Sequence, residues 1–173
     1  GIVAHPHNYQ RLIMLQRLIR KSLRTILHCS SELRNDAEIE LQTARDFTPE
    51  TVIRGYLAGC FPMPADGRVV WKRPERRAVF PIETFHISRN LQRLMRQRKF
   101  EIRIDSDFDQ VSQGCANRDD TWLSPEVRRI YAELFRMGLV RTIETWQNGE
   151  MVGGVYGVSI GKFFAGESQF SRV

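Results

Sequence analysis

The chain has 173 residues, 42% of them hydrophobic and 27% charged, a composition that suits a globular protein with one domain and a small second one. No run approaches the roughly 20 apolar residues that a membrane-spanning helix needs, so we expect no membrane partner. The cysteines and histidines are scattered, which supports neither a metal site nor a disulfide framework and favours a reducing, cytoplasmic compartment.

Basic residues are concentrated between residues 68 and 103. This segment carries 11 Lys and Arg side chains against three acidic ones, a local excess of +8 (11 − 3) compared with +6 for the whole chain. Such a density is typical of proteins that bind a polyanion such as nucleic acid. The alternative interpretation is a solvated arginine-rich face that serves solubility.

Residues 1–45 are interpreted as a helical N-terminal extension. Apolar residues recur every three or four positions over residues 11–27, with basic residues between them, which predicts an amphipathic helix. An Arg-rich start of this kind is also typical of organelle transit peptides, and a surface helix explains the pattern as well.

A small domain is predicted over residues 46–99. Thr48 is followed by Pro and Glu, the order of a capped helix start, and this helix is predicted to end near Gly59. Prolines and a glycine interrupt residues 61–68, which predicts a loop. Short strands are expected over residues 69–71 and 77–81.

A basic helix and a strand are predicted next. Ser88 is the expected N-cap of a helix over residues 90–99. Three of its side chains are predicted to face inward: Leu91, Leu94 and Met95. Residues 100–105 alternate apolar and charged side chains, which predicts a half-buried strand. The side chains expected on its buried face are Phe100, Ile102 and Ile104.

The last part of the chain, residues 100–173, reads as the beginning of a larger domain. Two more helices are predicted, over residues 107–116 and 125–137. Three antiparallel strands joined by tight turns follow, at residues 140–146, 151–160 and 163–170. Helices that alternate with antiparallel strands in this way indicate an α+β fold.

Three features are candidates for chemistry. Glu167 follows an apolar strand, and a buried carboxylate must be paired or protonated, which is common at active sites; the alternative is that it ends the strand in solvent. Trp71 and Trp122 lie beside polar residues and are either stacking platforms for unpaired bases or core residues. Met63, in a proline-rich segment, either lines an adaptable apolar pocket or fills the core.

Together these segments resemble the leucyl/phenylalanyl-tRNA–protein transferase family. The matching runs are GYLAGCFPM (55–63), VVWKRPERRAVFP (69–81), FHISRNL (85–91), CANR (115–118), TW (121–122) and EMVGGVYGVSIGKFFAGESQFSR (150–172). The last run is the most specific. The resemblance extends from about residue 48 to the end of the chain, and residues 1–45 match nothing we can name.

The resemblance implies a GNAT-like (acetyltransferase-like) domain behind a small N-terminal α/β domain. It implies an enzyme that transfers Leu or Phe, and sometimes Met, from aminoacyl-tRNA to proteins with N-terminal Arg or Lys, which marks them for degradation. The aminoacyl-tRNA is itself the donor, so no cofactor or metal is expected, and we expect a monomer.

The resemblance also implies roles for particular residues. Val155, Phe164 and Glu167 would form the aminoacyl pocket, with Glu167 as the candidate catalytic group. The residues expected around the terminal adenosine of tRNA are Tyr56, Met63 and Trp122. The residues expected to contact the tRNA backbone are Arg73, Arg76 and Arg96.

The sequence departs from the family in two ways. Many relatives have Trp where Met63 and Lys72 stand, so the adenosine contacts are expected to differ. Relatives also continue into a further strand with a D-x-Q motif, whose Asp and Gln are assigned to activating the attacking amine. We therefore expect a C-terminally truncated domain that is inactive alone.

Two other functions remain open. One is a catalytically silent tRNA- or RNA-binding fragment, which the missing motif would explain. The other is an acyl-CoA-dependent N-acyltransferase of the same superfamily, which usually needs a glycine-rich pyrophosphate loop at a helix start. We find no such loop in the sequence.

Overall fold

A computed structural model describes residues 39–40, 47–65, 68–119 and 121–172 of the chain. The helix predicted over residues 11–27 lies outside the described residues. The chain divides into two compact units, Gly1–Arg77 and Ala78–Val173. The boundary between these units lies after residue 77, whereas the sequence predicts one after residue 99. The division into segments 1–45, 46–99 and 100–173 stays a prediction.

The first unit is one helix with a small antiparallel sheet. Its elements are β1 (Ile39–Glu40), α1 (Pro49–Leu57), β2 (Phe61–Ala65) and β3 (Arg68–Lys72), with the strands in the order β1-β3-β2. Helix α1 begins where the sequence predicts, because the Thr48 hydroxyl accepts the Thr51 backbone N–H at 3.2 Å and the Thr51 hydroxyl accepts that of Thr48 at 2.9 Å. The helix buries Val52 and Ile53.

Two of the predictions for this region are wrong. Residues 61–68 were expected to be a loop, but Phe61–Ala65 is strand β2, paired with β3. Proline is compatible with β2 because the strand lies at the edge of the sheet, where a missing N–H removes no bond from a second neighbour. Residues 77–81 form no strand, since nothing in the described part of the chain pairs with them.

The second unit is a four-stranded antiparallel sheet with three helices. Its helices are α2 (Arg89–Gln97), α3 (Phe108–Ala116) and α4 (Pro125–Arg136), preceded by a 3-10 turn at Ile82–Thr84. Its strands are β4 (Glu101–Ile104), β5 (Val140–Gln147), β6 (Glu150–Ile160) and β7 (Phe163–Ser171). The strand order β4-β5-β6-β7 is the chain order, so the predicted meander and the α+β class are confirmed.

Local signals set these elements. Ser88 and Ser124 accept the backbone N–H groups of Leu91 and Val127 and so cap α2 and α4. Asn148 and Gly149, at φ 53° and 82°, form the tight turn between β5 and β6. Positive φ at both central positions is the geometry of hairpin turns that match the twist of the strands.

The core of the second unit lies between the sheet and helices α3 and α4. Side chains from both layers are fully buried there, including Val111, Tyr131, Leu134, Tyr156 and Val158. The phenol of Tyr156 packs edge-on against the ring of Tyr131, with the centroids 5.4 Å apart. Aromatic contacts of this kind fix the helices against β6.

The predicted inward faces of α2 and β4 are wrong. Leu91, Leu94 and Met95 are 42%, 39% and 61% exposed. Ile102 and Ile104 on β4 are 58% and 61% exposed. Periodicity shows which side chains share a face, but nothing in the described residues covers these two faces. Within the same residues, no helix combines the length and hydropathy needed to cross a membrane.

Candidate functional site

A β-bulge between β6 and β7 presents Glu167. Tyr156 lies opposite Ser168, and Gly157 lies opposite Gly166, so Glu167 is the extra residue between two paired positions. A bulge locally bends the strand and re-aims the side chain of the extra residue. The cross-strand ladder therefore leaves the direction of the Glu167 side chain to its other contacts.

The carboxylate of Glu167 lies near aromatic side chains of the helix layer. The Tyr131 hydroxyl donates a long hydrogen bond to Glu167 Oε2, at 3.5 Å. The Tyr131 ring packs edge-on against Trp122, with centroids 6.1 Å apart and an interplanar angle of 85°. Glu167 and Trp122, which the sequence assigns to neighbouring parts of one site, thus share Tyr131 as a neighbour.

Ser168 links the bulge to the end of α3. Arg118 Nη2 donates a hydrogen bond to Ser168 Oγ at 3.3 Å. The buried Cys115 lies beside the same hydroxyl. Burial raises the pKa of the Cys115 thiol, and the hydrogen bond with Ser168 and the charge of Arg118 only partly oppose that rise. Cys115 is therefore a protonated thiol at neutral pH rather than a thiolate nucleophile.

Tyr156 is buried at the centre of this cluster. Its side chain has no exposed surface, and its hydroxyl has no hydrogen-bond partner in the described part of the chain. Burial, followed by the negative charge of Glu167, raises the pKa of Tyr156 far above its usual value. The hydroxyl therefore stays protonated at neutral pH, and it lies within the electrostatic reach of Glu167 and Arg118.

Val155 and Phe164 lie on the opposite face of the sheet. Val155 and Gly157 are two residues apart on β6 and so point to the same side. A Cβ built on Gly157 would lie 2.5 Å from the Phe164 ring, so that ring rests on the glycine. Val155 and Phe164 thus lie on the face that α3 and α4 do not cover, whereas the Glu167 carboxylate contacts the helix layer.

The remaining predicted site residues divide between the two units. Tyr56 is buried on α1 and Met63 is half-buried on β2, both in the first unit. Arg73 and Arg76 are exposed in the first unit, and Arg96 is exposed on α2 in the second. Trp71 is buried, so it is a core residue rather than an open stacking platform.

Glu144 is a buried carboxylate that the sequence reasoning missed. It is fully buried on β5, between the likewise buried Val140 and Thr142 and the half-buried Trp146. Burial alone would raise its pKa, but hydrogen bonds from Ser106, Asp107, Thr142 and Trp146 outweigh that effect and hold the pKa below its ordinary value. The sequence does contain a signal for its burial. Side chains alternate between the two faces along residues 140–146, and this alternation places Glu144 on the buried face.

The described residues contain no group of three or more His, Cys, Asp or Glu side chains arranged to hold a metal ion. What the bulge region offers instead is a carboxylate, a guanidinium, buried phenols and an indole within one continuous set of contacts. Such a set is suited to binding a polar ligand that also carries a ring, and to orienting an amine or hydroxyl beside a carboxylate.

Comparisons with known proteins find relatives of this chain. The family described as leucyl/phenylalanyl-tRNA protein transferase matches residues 79–173, and its N-terminal domain matches residues 45–75. A leucyl/phenylalanyl-tRNA–protein transferase of Herpetosiphon aurantiacus is 48% identical over 126 residues, which cover 72% of this chain and 66% of that protein.

Other relatives with the same name give similar values. That of Gloeobacter violaceus is 46% identical over 129 residues, covering 73% of this chain and 66% of that protein. That of Ruegeria pomeroyi is 47% identical over 127 residues, covering 72% and 60%. The chain thus spans less than two thirds of the length of each. The family matches residues 79–173, which are more than half of the chain, and its N-terminal domain matches residues 45–75 ahead of them. The chain therefore belongs to the leucyl/phenylalanyl-tRNA–protein transferase family.

Proposed function

We propose that the full-length protein transfers Leu or Phe, and sometimes Met, from aminoacyl-tRNA to the N-terminal Arg or Lys of proteins, which directs those proteins to degradation. The observation that carries this proposal is the family match over residues 79–173, which includes the whole bulge region. The fold we propose for the second unit is GNAT-like, with β4 to β7 as its first strands. The protein is proposed to be cytoplasmic and monomeric.

The reaction needs little from the protein beyond positioning. An aminoacyl ester is already activated, so amide formation requires neither a metal nor a nucleotide. Holding the ester against the attacking amine in a dry site lowers the barrier by several kcal/mol, because the entropy of encounter has already been lost on binding. The remaining needs are a base for the ammonium proton and donors for the developing oxyanion.

Glu167 is the proposed polar group at the reacting centre. A Cβ built on its neighbour Gly166 meets no atom within 4 Å, so there is open space beside the bulge for a substrate. A carboxylate there binds an incoming ammonium group through charge-assisted hydrogen bonds, which favours a basic N-terminus. It can instead hold the aminoacyl ester in place, and the two roles differ in which substrate loses affinity when Glu167 is changed.

Val155 and Phe164 are proposed to bind the Leu or Phe side chain. Phe164 is 43% exposed and Val155 is half-buried, so together they offer an apolar surface open to a ligand. This surface and the Glu167 carboxylate lie on opposite sides of the sheet, so the aminoacyl ester is proposed to pass around the edge of β7 beside Gly166, where there is open space.

Tyr56, Met63 and Trp122 are proposed to border the terminal adenosine, where base stacking contributes about 1–3 kcal/mol per base. Trp122 is half-buried, so one part of its ring is accessible. Arg73, Arg76 and Arg96 are proposed to contact tRNA phosphates, and their exposure is consistent with that role.

The test is label transfer from charged tRNA to a peptide by the full-length gene product that contains this chain. We expect label from leucyl- and phenylalanyl-tRNA to appear on a peptide that starts with Arg, and not on a matched peptide that starts with Ala. Val-tRNA is the control for side-chain selection. Binding of tRNA without transfer would contradict the proposal and support a catalytically silent RNA-binding protein, and transfer from acyl-CoA would support the other acyltransferase class.

Glu167→Gln distinguishes a role of Glu167 in the transfer step from a role in tRNA binding. The amide keeps the size and loses the charge, so transfer should fall at least 10-fold while tRNA affinity stays the same. Equal turnover in the two proteins would remove Glu167 from the reacting centre.

A further inference from the structure

We infer that Arg118 is a positioning residue that holds Glu167 in place through Ser168. The inference rests on the proposed function, because Glu167 is the group whose placement matters for transfer. Arg118 itself is not proposed to touch the substrate. Its effect passes through the Ser168 hydroxyl to the next residue along β7.

The bulge creates the need for such a residue. Tyr156 of β6 pairs with Ser168, and the next residue of β6, Gly157, pairs with Gly166. Glu167 therefore has no residue directly opposite it on β6. The orientation of Glu167 thus depends on side-chain contacts and on how firmly Ser168 is fixed. Functional groups held about 1 Å from their productive position lose much of their effect, so this dependence has consequences for rate.

Arg118 is anchored well for this task. Its backbone N–H donates to the carbonyl oxygen of Ala116 at 2.9 Å, immediately after α3. From there its Nη2 reaches Ser168 Oγ at 3.3 Å. Ser168 is only 9% exposed, whereas Arg118 is exposed, so the guanidinium reaches from the surface to a hydroxyl that water can hardly approach.

The charge of Arg118 reaches the surroundings of Glu167. The guanidinium and the Glu167 carboxylate both exert an electrostatic effect on the hydroxyl of the buried Tyr156, with opposite signs. On the helix side, the Tyr131 hydroxyl donates to the Glu167 carboxylate.

The chain offers a matched control in Arg128. Its Nε donates to Ser112 Oγ, also at 3.3 Å, and its Nη1 donates to Gln113 Oε1 at 2.8 Å. It thus makes the same type of guanidinium–serine bond, but it joins α4 to α3 and touches nothing on β7 in these bonds. Arg128→Ala removes the same charge and the same kind of contact without disturbing the bulge.

The experiment compares Arg118→Ala, Arg118→Lys, Ser168→Ala and Arg128→Ala in the full-length protein, by amide hydrogen exchange and by transfer kinetics. Arg118→Ala and Ser168→Ala should speed exchange in the β7 segment around Glu167, and Arg128→Ala should not. In the transfer assay, Arg118→Ala should lower kcat by about 10- to 100-fold with the KM for tRNA nearly unchanged. Arg118→Lys should recover part of kcat.

Other outcomes overturn the inference. Unchanged exchange in the β7 segment, or faster exchange with an unchanged kcat, would show that Arg118 does not position Glu167. A higher KM for tRNA at constant kcat, with a weaker salt dependence, would identify Arg118 as a phosphate contact instead. If the wild-type protein transfers no label, the proposed function fails, and the exchange measurement alone then decides whether Arg118 fixes the bulge.

Discussion

The Glu144 carboxylate accepts a hydrogen bond from the backbone N–H of Asp107 at 2.9 Å, which ties β5 to the first turn of α3. The Ser106 backbone N–H at 2.9 Å, the Thr142 hydroxyl at 2.7 Å and the Trp146 Nε1 at 3.2 Å donate to the same carboxylate. Asp107 is itself the N-cap of α3. One buried charge thus orders the connection that places α3 against the sheet.

Glu144→Gln should destabilise the fold. The amide keeps one acceptor oxygen but turns donor hydrogens toward groups that are themselves donors, and buried donors without acceptors cost about 1–3 kcal/mol each. We expect the free energy of unfolding to fall by about 2–3 kcal/mol, measured by urea unfolding followed by circular dichroism. The control is Glu101→Gln, an exposed carboxylate paired with Arg103, which should have little effect. A Glu144→Gln protein as stable as wild type would contradict this account.

The same carboxylate predicts a pH dependence. Its folded pKa lies below the ordinary value of 4.5, so ionised Glu144 contributes stability above that value, and the contribution is lost as pH falls through the folded pKa. Glu144→Gln cannot titrate. The difference in unfolding free energy between wild type and Glu144→Gln should therefore shrink as the pH is lowered from 6 to about 3. A difference that stays constant over this range would show that folding does not lower the pKa of Glu144, and one that grows would show that folding raises it.

Gly157→Ala tests how the Phe164 ring packs against β6. An added Cβ would lie 2.3 Å from the Ala165 carbonyl oxygen and 2.5 Å from the Phe164 ring, so strand or ring must move. Overpacking of this kind costs about 1–3 kcal/mol. The matched control is Gly166→Ala, where an added Cβ meets nothing within 4 Å. Urea midpoints should fall for Gly157→Ala only, and equal midpoints for the two variants would contradict the packing described for Phe164.

Changing Arg73, Arg76 and Arg96 together to Ala should weaken tRNA binding. If these side chains neutralise phosphates, the slope of log K against log salt should become less negative by about 2 to 3 units, at about 0.9 per contact on a duplex and about 0.7 on a single strand. Binding of uncharged tRNA at several salt concentrations measures this slope. A triple variant that keeps the wild-type slope would place the tRNA backbone elsewhere.

Val155→Asp should abolish transfer of Leu and Phe. The new carboxylate would lie without a partner against the apolar side chain of the Leu or Phe substrate. The free energy gained by binding that side chain cannot offset the cost of burying an unpaired charge. Because Val155 is half-buried, the fold should tolerate the change, as circular dichroism would verify. Val155→Leu keeps an apolar surface and should retain transfer. Normal turnover by a folded Val155→Asp protein would show that the side chain binds elsewhere.

Some of the fold follows from local sequence alone. The caps at Thr48, Ser88 and Ser124 start helices because each hydroxyl accepts an N–H only three residues away. The turn at residues 148–149 joins two strands because Asn and Gly tolerate positive φ. These elements could be predicted, since the interactions that form them involve neighbours in the chain.

Other features depend on distant parts of the chain. The order of the strands makes β2 an edge strand that accepts proline, and the pairing of β6 with β7 leaves Glu167 in a bulge beside Tyr131. Alternation marked Ile102 and Ile104 as one face of β4, yet both are exposed. A pattern of side chains fixes which residues share a face, whereas the register of paired strands and the cover over each face are decided by contacts between residues far apart in sequence.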